Sequence, residues 1–206
     1  MKFKDYYNII TEMRKSRPLI IVDVQPEYMF RGNISHNNMM NKIIQLVNNY
    51  SGPILMFVNA ENTGVSNDTI NSIKEFWEEH GFDRDWEDIE IIDKGYGYLR
   101  SWMDENVPES DIIKAIRIMF QKKIYDSRDI VESHDEVESY DKWRELLNNP
   151  DIPDDMISVN WISIKKLKDY SGGYLIGGGR NECLKEIEII MNAFNLKYKK
   201  IDAMIY

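Results

Sequence analysis

The chain has 206 residues, 43% hydrophobic and 30% charged, with a single cysteine and a formal net charge of −9. That is enough apolar material for one sizeable core, while one cysteine excludes an internal disulfide and a structural zinc cluster, and no apolar run approaches the roughly 18 residues of a membrane span. An acidic chain has no overall field to attract nucleic acid or an anionic membrane, so neither is expected as a partner.

The opening residues, MKFKDYYNIITEMRKSRP, show no apolar signal core and no small-residue cleavage site, which predicts a cytoplasmic protein. Arg17-Pro18 then leads into LIIVDVQ, a β-branched run that reads as a buried strand. In SHNNMMNKIIQLVNNYSG, Met39, Met40, Ile43, Ile44 and Val47 recur at helical spacing, with Ser35 or Asn37 able to cap and Gly52 at the end. PILMFVNAE is a second strand, so the first sixty or so residues read as a βαβ unit of a parallel sheet.

Residues 67–150 change character and are expected to be a helical, acidic insertion. Helices are predicted in NDTINSIKEFWEEHG, GYGYLRSWMDEN, PESDIIKAIRIMFQKK and SYDKWRELLNN, and Trp77, Trp86, Trp102 and Trp143 supply the insertion's core. Ten Asp and Glu between Asp129 and Asp155 face only Lys142 and Arg144, which reads as a solvated surface. Beyond it, MISVNWISI alternates like a strand, KKLKDYSGG is a short helix, YLIGG a strand, Glu182–Phe194 a helix and YKKIDAMIY a last strand. Five strands alternating with helices predict a three-layer α/β sandwich around a mostly parallel sheet, with a helical insertion after the second strand.

In such folds the site lies at the carboxyl ends of the strands, where Asp23, Glu61 and Gly177–Cys183 are expected to gather. Cys183, in the first turn of a helix, has two readings at equal weight. The helix dipole and unpaired N–H groups favour a nucleophilic thiolate, and free cysteine is also among the most buried residue types. The glycine-rich turn before it permits close approach of a substrate or cradles an anion, and Arg180 either binds an anionic group or is solvated. Asp23, Glu27, Glu61, Asp126 and Asp129 offer a further alternative, a divalent-metal nuclease or phosphatase site. His36, His80 and His134 have no metal-ligand spacing and read as solvated.

LIIVDVQPEYMF, with Asp23 and Gln25 after an apolar run, resembles the first-strand signature of isochorismatase-like cysteine hydrolases. IGGGRNECL resembles that family's nucleophile turn, with Gly177 six residues before Cys183 and Leu184 after it. The resemblance covers residues 17–62 and 156–206. It implies a single isochorismatase-like, Rossmann-type domain over 1–206; the 67–150 insertion has no counterpart in the family and is read as a lid. It also implies hydrolysis of a small amide or related carbonyl compound by a Cys-Asp-Lys triad, with Cys183 as nucleophile and Asp23 as base. Backbone N–H groups of Arg180–Cys183 would hold the oxyanion, and Gln25, Gly178, Gly179, Arg180 and Glu61 would contact the substrate. The family's lysine belongs on the strand aligned with MISVNWISI, which has none before Lys165; Lys114 is taken as the replacement, with Lys94 the other insertion lysine considered. The metal pair of nicotinamidases falls on Asn59-Ala60-Glu61, so no metal or cofactor is expected. Self-association is implied by the family alone. The alternative on the same scaffold is a non-catalytic small-molecule binding protein.

Overall fold

The computed structural model of the protein describes residues 17–29, 34–60, 67–94 and 99–206. Five strands form one sheet: β1 (Leu19–Val22), β2 (Ile54–Val58), β3 (Ile89–Asp93), β4 (Gly173–Gly177) and β5 (Tyr198–Lys200). Their order is β3-β2-β1-β4-β5 and all four pairings are parallel. The parallel sheet agrees with the α/β class expected from the strand–helix alternation, and its order is doubly wound, with the switch point between β1 and β4. The central strands are apolar and buried throughout, as a parallel sheet covered on both faces requires.

The chain falls into two compact units. The first holds the described residues of Met1–Gly95, Tyr170–Arg180 and Tyr198–Tyr206; the second holds Tyr96–Asp169 and Asn181–Lys197. In the first, the sheet is joined by α1 (Pro26–Met29), α2 (Ile34–Asn48) and α3 (Ile70–Glu79). The predicted stripe of α2, Met39, Met40, Ile43, Ile44 and Val47, shares one core with Leu19, Ile21, Ile54, Met56 and Ile176. A capping box starts α3: Thr69 Oγ1 accepts from Ser72 N–H, and Ser72 Oγ accepts from Thr69 N–H.

The second unit contains α4 (Arg100–Asp104), α5 (Glu109–Lys122), α6 (Glu136–Leu147), α7 (Trp161–Asp169) and α8 (Cys183–Ala193). Trp102 and Trp143 meet edge-to-face at 6.1 Å, with both indole N–H groups bonded to backbone carbonyls, of Asp155 and Ser127. Glu109 ties α5 to α8 through Lys185 at 2.5 Å and Asn192 at 3.0 Å.

Two strand assignments exchange places. MISVNWISI is not in the sheet. Ile157 and Val159 are buried, which explains the alternation, but their backbone groups bond to residues 125–127 through a single bridge, and α7 begins at Trp161. The fifth strand is instead β3, inside the stretch expected to be a helical insertion. Among the described residues it pairs only with β2, at the sheet's border, where half-buried Glu90 is tolerated and the apolar signal is diluted. Residues 67–94, with Trp77 and Trp86, therefore belong to the sheet unit. The last strand is also shorter than expected, giving way to a 3₁₀ turn at Asp202–Met204.

Candidate active site

The register aligns Val22 with Phe57 and Gly177, and Val58 with Asp93. Lys94, Asn59, Asp23 and Gly178 therefore follow one another along the carboxyl edge of the sheet, the position where α/β folds place ligands. At that edge the Lys94 ammonium donates to Asp23 Oδ2, and both side chains are fully buried. Two ions removed from water persist together only with close, well-aligned pairing. The other carboxylate oxygen, Asp23 Oδ1, is buried and has no hydrogen-bond partner among the described residues. A buried acceptor left open is uncommon and costly.

The backbone here is unusual as well. Asp23 has φ +49°, a left-handed conformation that a non-glycine residue adopts at a cost, least so for Asp and Asn. It is held on every side. Its N–H donates to Phe57 O at 2.9 Å, and its C=O accepts from Tyr206 Oη at 2.6 Å. The following carbonyl, Val24 O, accepts from Trp77 Nε1 at 2.8 Å. Next comes Gln25, whose amide bonds both ways with the Asn59 backbone at 2.9 Å and donates to Asp68 Oδ2 at 2.9 Å. Gln25 is fully buried, and these bonds clamp the turn that carries Asp23.

Across the switch point, Gly177 has φ +77°, and a Cβ there would stand 2.4 Å from Val22 O and 2.6 Å from Val24 Cγ2. Only glycine allows β4 to lie so close to the Asp23 turn. Gly178 also has positive φ and accepts from Tyr206 N–H. Arg180 is engaged through both its backbone and its side chain. Its backbone N–H donates to Tyr206 O at 2.8 Å, so that donor is already engaged rather than open to an oxyanion. Its guanidinium pairs with Asp202 at 2.7 Å and is half-exposed. Gly179 is half-buried beside it. Glu61 lies outside the described residues.

Cys183 belongs to the second unit, where it is the first residue of α8 and half-buried. A cation from its own unit lies within its field. Arg100 pairs with Glu182 at 3.6 Å. Partial burial opposes the Arg100 charge, yet the Asp104 hydrogen bond, followed by the charges of Asp104, Glu182 and Cys183, holds the guanidinium above its ordinary range. Lys114, the replacement lysine expected from the sequence, is an exposed residue of α5; the lysine that meets Asp23 is Lys94.

The carboxylate–metal alternative finds no cluster. Among the described residues no three His, Cys, Asp or Glu side chains gather as a metal site. Glu27 accepts from Asn67 N–H, and in the second unit Asp126 pairs with Arg128 and Asp129 with His134. No helix among the described residues is long and apolar enough to cross a membrane. No family model, curated protein or solved structure matches the chain.

Proposed function

We propose that the protein is a thiol-dependent hydrolase of a small amide or related carbonyl compound, of the isochorismatase-like type. The observation that carries the reading is the buried Asp23–Lys94 pair at the carboxyl edge of the sheet, with Asp23 Oδ1 open. A lysine beside the aspartate is the member of the Cys-Asp-Lys set that the sequence resemblance left without a position. Cys183 enters the proposal on sequence spacing, six residues beyond Gly177, whose sheet partner Val22 precedes Asp23.

In this reading Asp23 Oδ1 takes the Cys183 proton as the thiolate attacks the substrate carbonyl carbon. The carbon–nitrogen bond breaks, the proton passes from Asp23 to the departing amine, and an acyl-thioester remains on Cys183. Water, giving a proton back to Asp23, then attacks the thioester; the acid leaves and the thiol is restored. Lys94 orients Asp23 through their ion pair, and Arg100 and the α8 N-terminus favour the thiolate. The engaged N–H of Arg180 favours a second reading on the same scaffold, a small-molecule binding protein without turnover.

Alkylation of Cys183 against pH, followed by mass spectrometry on the native protein, separates the two. Hydrolysis requires a thiol that titrates below the unperturbed value of about 8.5 and whose profile moves in Asp23→Asn and Lys94→Met. A thiol inert until the protein unfolds leaves the binding protein.

A further inference from the structure

In the second unit a strip of four aromatic rings reaches the surface. Phe194 and Phe120 lie 5.0 Å apart, Phe120 and Trp161 5.4 Å, and Trp161 and Tyr125 6.3 Å. Phe120 is 42% exposed and Tyr125 59%, two of the four large apolar side chains exposed among the described residues. Cations border the strip. The Lys168 ammonium stands 4.7 Å from the Phe120 ring centre and 4.9 Å from that of Phe194. Lys165 shares the face of α7 that carries Trp161 and Lys168, at the i, i+4, i+7 spacing. Arg117, one turn before Phe120, donates to Ala193 O at 2.7 Å.

The same unit carries a complementary feature. At the start of α6, Val137 is 67% exposed, and Glu132, Asp135, Glu136 and Glu138 around it in the chain are exposed too. Asp135 caps the helix by accepting from Glu138 N–H at 3.0 Å, which fixes the segment's conformation before any partner arrives. An apolar side chain among carboxylates is the counterpart of an aromatic strip among cations.

We propose that the Phe120–Tyr125–Trp161 strip docks the Glu132–Glu138 segment of a second copy of this chain. Val137 packs on the exposed rings while its flanking carboxylates meet Lys165 and Lys168. A single-stranded nucleic acid fits the strip less well. The Phe120 ring stands at 70° and 74° to its neighbours, so the rings offer edges rather than parallel stacking faces, and the net charge of −9 repels a polyanion. This surface is independent of the hydrolase reading.

Sedimentation velocity of the full chain over a concentration series, at low and high salt, tests the docking. Self-association that weakens with salt is expected, as is loss of about tenfold or more in affinity for Lys165→Glu/Lys168→Glu and for Glu136→Lys/Glu138→Lys. All four positions are exposed, and circular dichroism checks that each variant is folded. Mixing the two variants restores association between them, because each then carries the charge the other lacks. A monomer at every concentration overturns the proposal, as does association indifferent to both variants. Binding of an oligothymidylate probe by the strip without self-association also overturns it.

Discussion

Asp23 combines three costs at one residue: a left-handed backbone, a charge removed from water and an open acceptor. Lys94 offsets the second. Removing the lysine alone, in Lys94→Met, strands a carboxylate in the interior and is expected to cost about 3–5 kcal/mol in chemical denaturation. The double variant Asp23→Asn/Lys94→Met is expected to recover most of that loss, since it removes both charges and keeps a side chain that tolerates positive φ. A double variant no more stable than Lys94→Met would mean that the pair is not the source of the effect. Asp23 was legible in the sequence because it ends an unmistakable strand. Lys94 is far less legible: DIEIIDK puts charges on both sides of a short apolar run, and nothing local announces that its far end faces Asp23. Tyr206 and Trp77, which hold the Asp23 turn, act through backbone carbonyls and left no motif at all.

Among the elements, α5 and α8 show how a pattern becomes a contact. Of the apolar stripe that the sequence predicts for α5, Ile112, Ile116 and Met119 are buried, while Ile113 is half-buried and Phe120 is exposed, and α8 spans nearly the expected residues. The polar tie between them was not legible, because Glu109 sits 76 residues from Lys185 and 83 from Asn192. The Lys185 hydrogen bond holds the Glu109 carboxyl below its ordinary value of 4.5; burial opposes this, and Asn192 adds to the lowering. A lowered folded value means stability that is present above 4.5 and lost as pH falls through the folded value. Glu109→Gln is therefore expected to cost about 0.5 kcal/mol at neutral pH, as for a part-exposed pair, with the difference from the wild type closing in acid. Tryptophan-fluorescence unfolding at several pH values measures it, and a difference that persists in strong acid would place the effect elsewhere. The false strand at 156–164 shows the reverse case: alternation reports which side chains are buried, and a two-stranded bridge satisfies it as well as a sheet does.

At the scale of the whole molecule, the sheet is assembled from three distant parts of the sequence, which reach it around residues 19–93, 173–177 and 198–200. Such non-local parallel pairing gains nothing until the last segment arrives. Deleting residues 198–206 removes β5, the buried Ile201 and Met204, and the Tyr206 donor to Asp23. The truncated chain is expected to lose cooperative thermal unfolding by calorimetry; a sharp transition near the full-length midpoint would show the segment to be dispensable. The α/β class was readable from strand–helix alternation. Membership of the 67–94 segment was not, because helices and acidic turns surround its one strand.

The two border strands, β3 and β5, are the ones that interrupt their apolar residues with charge, Glu90 in one and Lys199-Lys200 in the other. An open sheet always ends in unpaired N–H and C=O groups, a template on which another chain can add strands without limit. Placing the charges there, and leaving the centre purely apolar, lets the chain carry a strongly self-complementary sheet while discouraging the fibrous growth that such a sheet invites.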